Sequence, residues 1–147
     1  MACPYFSPSK PLPWSKWPGK LRPPLGELYG GECHARTEPF LPSERLLVDC
    51  CNLGYAGTEC NRFPNGEGPD AVRFGLSADD GRTVELAYVV ERVHLPLRHG
   101  TLRYCRATNT WGELDGDGLN SDRLLARQAE AYLAGYLRSK AEEPFLE

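Results

Sequence analysis

Residues 70–93 read DAVRFGLSADDGRTVELAYVVERV, and this stretch decides the fold class. On both sides of the turn ADDGR, apolar residues occupy every second position, which is the period of a strand with one buried face. These residues are Val72, Phe74 and Leu76 before the turn and Val84, Leu86, Tyr88 and Val90 after it. The stretch therefore predicts an antiparallel β-hairpin.

A third strand and a helix are predicted to complete the second half of the chain. After a turn at PLRHG, residues 101–108 read TLRYCRAT and place Leu102 and Tyr104 on one face. Residues 121–140 have the period of an amphipathic helix, which Asn120 or Ser121 would cap. Its mostly apolar stripe comprises Leu125, Gln128, Ala129, Tyr132, Leu133 and Tyr136. We expect this C-terminal helix to cover one face of a small antiparallel sheet of about three strands.

The first half of the chain predicts loops. Proline lacks a backbone donor and clashes inside helices and central strands, so the proline-rich segment up to about Pro24 should be irregular. A short helix is expected to begin after Ser43, whose side chain can cap its first turn, and to end near Gly54. With 147 residues, the chain has the size of one α+β domain, with a loop-rich part at 1–66 and hairpins plus a helix at 67–147.

The cysteines of the loop-rich part indicate a metal site. Six cysteines occur, namely Cys3, Cys33, Cys50, Cys51, Cys60 and Cys105. We expect a cytoplasmic protein, because the chain begins without a secretory signal and has no apolar run near the roughly 18–20 residues that span a bilayer. Disulfides are rare in that compartment, so metal binding is the better explanation of so many thiols.

The spacing of the cysteines favours an iron–sulfur cluster over zinc. Structural zinc sites use paired C-x2-C knuckles, and none is present here. A 4Fe–4S cluster is bulkier, so its four thiolates can come from separate loops. We predict that Cys3, Cys33, Cys51 and Cys60 hold it and that residues 1–66 form the metal-binding part. Cys50 is the rival for the third position, because adjacent residues of a helix point in different directions. Cys105 is expected to be a packed or partly exposed strand residue rather than a ligand.

Several functions are compatible with this site. A cluster could serve electron transfer, redox sensing or structure, with an unidentified protein or redox partner. The first alternative is a structural zinc module that presents its sheet and helix to a partner, including a mixed site that uses His34. The second is a metalloenzyme with an open coordination position near His34, His94 or His99. Failing all of these, the chain would be a metal-free domain with buried thiols.

Three further features have simpler interpretations. His94 and His99, with Glu91, could supply acid–base groups or two ligands for a second metal, but histidines at a strand end beside a turn are commonly surface residues. Acidic residues at 113–117 resemble the start of a calcium loop, yet Leu124 occupies the position of its bidentate glutamate. The basic, aromatic arm at 1–24 could contact nucleic acid, but a lid over the cluster is the preferred interpretation. The net charge of −3 provides no general attraction to nucleic acid or membranes.

Overall fold

A computed structural model of the chain describes residues 1–13, 17, 23–57, 59–64, 68–115 and 122–142. Its first part contains two strands, β1 (Phe6–Pro11) and β2 (Tyr29–Cys33), which pair antiparallel. They are followed by a short helix, α1 (Glu44–Leu46), and a π-helical turn (Leu47–Cys51). Strands and helices occur together, so the predicted α+β class is confirmed.

The second part is a four-stranded antiparallel meander followed by a helix. The strands are β3 (Ala71–Asp79), β4 (Thr83–Arg92), β5 (Leu95–Cys105) and β6 (Thr110–Asp115), in the order β3-β4-β5-β6. Helix α2 (Arg123–Glu142) comes last. The β3–β4 pair is the predicted hairpin, with Val72 opposite Val90 and Phe74 opposite Tyr88.

The prediction of about three strands is corrected to four. Strand β5 begins at Leu95, so the residues assigned to the turn PLRHG belong to the strand. The actual turn is Val93-His94, where both residues have positive φ, 49° and 64°. Two-residue hairpin turns of this kind normally use Asn or Gly, and the sequence carries no such signal here. Strand β6 was missed because apolar alternation is almost absent from its residues.

The loop prediction for the first part is also incomplete, because β1 and β2 form a small sheet. Gly31 allows these strands to approach closely, since a Cβ there would lie 2.0 Å from the backbone oxygen of Ser7. The register changes between Pro8 and Lys10, where a bulge accommodates the proline-rich strand. Ser43 caps α1 as predicted, accepting a hydrogen bond from the Leu46 amide at 3.3 Å.

Helix α2 connects the two parts. Asp122 caps it, accepting a hydrogen bond from the Leu125 amide at 2.9 Å, whereas the predicted caps Asn120 and Ser121 lie outside the described residues. One hydrophobic core joins side chains from both sheets and from the helix. It includes Phe6, Tyr29, Cys51, Phe74, Tyr88, Leu102, Leu125 and Ala129. No helix among the described residues has the length and apolar character required to cross a membrane.

Candidate functional site

Five of the six cysteines line one small enclosed cavity in the first part of the chain. They are Cys3, Cys33, Cys50, Cys51 and Cys60. The remaining described residues of the wall are Tyr5, Phe6, Ala35, Ala56, Arg62 and Phe63. The wall therefore consists of thiols, apolar side chains and one arginine. The four predicted ligands and the rival Cys50 all lie in this wall.

Cys3 is held at the start of the chain by backbone hydrogen bonds. Ala2 and Val72 exchange two bonds of 2.8 Å, which attach this segment to the edge of β3. The Cys3 amide donates to the Cys51 carbonyl at 3.0 Å, so these two cysteine backbones are directly linked. The Cys3 carbonyl accepts from the Phe6 amide at 3.1 Å. The loop containing Cys3 is thus fixed on both sides.

Cys33 ends β2, opposite Phe6 of β1. Its amide donates to the Phe40 carbonyl at 2.7 Å, and the Phe40 amide donates back to the Cys33 carbonyl at 3.0 Å. Cys60 lies in a turn in which its amide donates to the Ala56 carbonyl at 2.8 Å. Cysteines that are far apart in sequence therefore reach the cavity from a strand end and from a turn.

Cys50 and Cys51 both face the cavity, although we expected adjacent residues to point apart. They end a π-helical turn in which the Asn52 amide donates to the Leu47 carbonyl at 3.0 Å, five residues back. This wider turn separates successive side chains by a smaller angle than an α-helix does. The choice of Cys51 over Cys50 as a ligand stays a prediction.

Two buried amide side chains support the site and were missed as site residues. Gln128, fully buried on α2, donates from Nε2 to the carbonyls of Cys3 at 2.7 Å and Phe6 at 2.8 Å. Asn52, also fully buried, exchanges two 3.0 Å bonds with the Tyr29 backbone. The signal for Gln128 was present in the sequence, because a glutamine in an apolar stripe needs a hydrogen-bonding partner when it is buried.

The electrostatics of the cavity keep its deepest thiols protonated. Burial first, and the neighbouring thiols second, raise the pKa of Cys3 to about 12 and the pKa of Cys50 to about 11. The same two causes raise the pKa of Cys51. A metal that binds here would replace these protons, since the thiolate is the form that coordinates metals.

The cavity wall provides the donors for a cluster but no preformed site for a single ion. Among the described residues, no three or more His, Cys, Asp or Glu side chains are arranged to hold one metal ion. The thiols surround a space of about 20 Å³, close to the room of one water molecule, so a cluster would have to spread the wall. A second observation is compatible with an anionic occupant: Arg62 Nε is buried and has no hydrogen-bond partner among the described residues.

The histidines lie elsewhere. His34 pairs with Glu32 at 3.4 Å and lines a different groove, against the start of α2. His94 stacks on Tyr55 with a centroid separation of 4.2 Å, and His99 is exposed on β5. Among the described residues, no histidine lines the cysteine cavity.

Other polar candidates have structural partners. Buried Glu91 accepts hydrogen bonds from Tyr55 and Arg73, which satisfies its carboxylate. Cys105 ends β5, away from the cavity, where hydrogen bonds from Thr108 lower its pKa.

Two sequence predictions fall partly outside the described residues. The backbone of residues 113–115, the start of the resemblance to a calcium loop, belongs to β6, and residues 116–121 are not described. Within the basic arm, residues 14–16 and 18–22 lie outside the described residues. Tyr5 at the start of the arm lines the cavity and contacts Phe63 edge-to-face at 5.6 Å, as a lid would.

No protein-family model, curated protein or solved structure shows significant similarity to this chain.

Proposed function

We propose that this chain is an iron–sulfur protein that binds a 4Fe–4S cluster in the cysteine cavity. The observation that carries the proposal is the convergence of five cysteines, from four separate chain segments, on one enclosed cavity. Thiols surrounding a space suit a cluster, whose iron atoms are spread over several positions. A single zinc ion needs four sulfurs at about 2.3 Å from one point.

Cys3, Cys33, Cys51 and Cys60 are the proposed ligands. Cys3 and Cys51 belong to the hydrophobic core, and their backbones are joined by a hydrogen bond. Cys33 and Cys60 are partly exposed, and Cys60 also lines the outer groove. When bound, the cluster would supply one-electron redox chemistry or structural cross-linking. The chain would position it, exclude water with Tyr5 and Phe63, and connect it to α2 through Gln128.

The proposal extends to compartment and partner. All six thiols are free in the structure, which suits a reducing compartment, and we propose the cytoplasm. An electron-transfer or sensing role requires a protein or redox partner. The outer side of the cavity at Cys60, where a groove of about 500 Å³ begins, is the proposed approach to the cluster.

Single Cys→Ser variants test the ligand set. Each variant is purified without oxygen, and iron and sulfide per chain are measured. We expect Cys3→Ser, Cys33→Ser, Cys51→Ser and Cys60→Ser to lose most of the iron. Cys50→Ser and Cys105→Ser should retain it, and Cys105→Ser is the matched control because its thiol is remote from the cavity. Equal iron in all six variants would contradict the proposal.

A structural zinc module is the second candidate. The observation that favours it is the set of free thiols in the cavity wall, because four cysteine thiolates are also a ligand set for structural zinc. It predicts one zinc per chain and no sulfide. The metalloenzyme alternative receives no support from the histidines, since none described lines the cavity.

A further inference from the structure

Arg62 lies at the boundary between the cysteine cavity and the surface. Its side chain lines the cavity and also an outer groove of about 500 Å³. Cys60 and Phe63 are shared by the same two walls. Arg36, by contrast, is exposed and lines only the outer groove. Arg36, outside the cavity, is therefore a suitable control for substitutions of Arg62, which lines it.

The position of Arg62 is fixed by the chain segment that carries Cys33. Its guanidinium carbon lies 4.0 Å from the centre of the Phe40 ring, in a cation–π contact. Phe40 is in turn joined to Cys33 by two backbone hydrogen bonds of 2.7 and 3.0 Å. In sequence, Arg62 is only two residues beyond Cys60. The guanidinium therefore contacts the segment that pairs with Cys33, and its residue follows shortly after Cys60.

Arg62 has unused hydrogen-bonding capacity at this position. Its Nε is buried and has no partner among the described residues. Burying a donor without an acceptor is unfavourable, so native proteins rarely leave one in this state. The wall that Arg62 lines also carries five cysteine sulfurs, and sulfur in a thiolate or an inorganic sulfide can accept a hydrogen bond.

Arg62 is also important for the charge balance of the cavity. Among the described residues of its wall, Arg62 carries the one positive charge. Four thiolates around a cluster bring net negative charge into an apolar enclosure, where charges interact more strongly than in water. Reduction by one electron adds a further negative charge at the same place.

We propose that Arg62 is the residue that tunes this site, by donating a hydrogen bond from Nε to a cluster sulfur and by stabilising the reduced cluster with its positive charge. The inference rests on the proposed function. In the reduction step one electron from an external donor enters the cluster and no bond to the protein forms or breaks. Arg62 does not bind iron in this proposal. Its effect is therefore expected in the reduction potential of the cluster.

The reduction potential of the loaded protein tests this role. Relative to wild type, Arg62→Gln removes the charge and should lower the ratio of reduced to oxidised cluster at least tenfold at a fixed potential. That change corresponds to about 59 mV for a one-electron couple. Arg62→Lys keeps a charge but not the Nε donor and should give a smaller shift in the same direction. Arg36→Gln, the matched control in the outer groove, should leave the potential unchanged.

The outcomes separate this inference from the proposed function. Wild-type protein that takes up no cluster would contradict both the proposed function and the role of Arg62. Loaded Arg62→Gln and Arg62→Lys proteins with the wild-type potential overturn the role of Arg62 alone. If Arg62→Gln takes up no cluster, the reduction potential of loaded Arg62→Lys is the test: a lowered potential supports the role of Arg62, and the wild-type potential overturns it. If neither loads, circular dichroism of the metal-free variants decides: a native spectrum supports a role at the cluster, and an unfolded one assigns Arg62 to structure and overturns the proposal.

Discussion

The sheet-and-helix part and the cysteine part of this chain are stabilised by different means. Strands β3 to β5 have nine to eleven residues each and bury a continuous apolar face, in which Val84, Leu86 and Leu102 are fully inaccessible. The cysteine part has strands of six and five residues and a three-residue helix. Its interior combines thiols, aromatic rings and the buried amide of Asn52 with aliphatic side chains such as Leu25 and Leu47.

The difference indicates what a metal would contribute. Hydrophobic burial and strand pairing suffice for the second part, and they do not depend on any cofactor. The first part buries thiols whose raised pKa values keep them neutral, and neutral thiols bond weakly to one another. A bound cluster would form four iron–thiolate bonds, which would cross-link the separate chain segments that carry the cysteines. Three predictions follow this contrast, from the largest expected effect to the smallest.

The largest effect is expected in the sheet and should be independent of metal. Leu102 is fully buried on β5, so Leu102→Ala creates a cavity there. We expect a loss of about 2–5 kcal/mol in the free energy of unfolding, in loaded and metal-free protein alike. Urea titration of both forms measures it. A loss that changes strongly on metal removal would break the proposed division between the two parts.

A medium effect is expected where the two parts meet. Gln128→Met retains side-chain length but leaves the carbonyls of Cys3 and Phe6 without their donor on α2. The free energy of unfolding should fall by about 1–3 kcal/mol, and iron content should fall as the Cys3 loop loosens. Arg127→Met, at the neighbouring exposed position, is the control. Unchanged iron content in Gln128→Met would mean that Cys3 is positioned without α2.

The smallest effect concerns pH and the far end of the sheet. Hydrogen bonds from the Tyr136 hydroxyl and the Gly81 amide, together with Arg106, lower the pKa of Asp79 to about 2 from 3.8. The ionised form is therefore favoured in the folded state, so its contribution to stability is present above about pH 4 and is lost as pH falls to about 2.

Asp79→Asn should remove about 1 kcal/mol of stability at pH 6, and the difference from wild type should shrink at pH 3. Denaturant titration of the metal-free proteins at both pH values measures this. Glu38→Gln, which makes the same change of charge at an exposed position outside the sheet, is the control. If the difference between variant and wild type instead grows on acidification, the ionised form of Asp79 is not the one that stabilises the fold.

Strong periodicity carried the sequence predictions that the structure bears out, whereas the metal site inferred from the cysteine content stays a prediction. The alternation at residues 70–93 gave the β3–β4 hairpin, and the helical stripe gave α2. Strand β6 and the Val93-His94 turn were missed because they lack the usual local signals, and their conformations depend on pairing with neighbouring strands. The positions of Cys33 and Cys60 in one wall could not be derived from spacing, since they depend on tertiary contacts such as the Cys33–Phe40 pairing. Arg62 had no sequence signal.

The central claim is that the cysteine cavity holds an iron–sulfur cluster. The most direct test is the absorption spectrum of wild-type protein purified without oxygen, with iron, sulfide and zinc per chain measured on the same sample. The account predicts a brown protein with a broad band at about 400 nm and equal amounts of iron and sulfide, near four of each per chain. A colourless protein with one zinc per chain, or one free of metal, would contradict it.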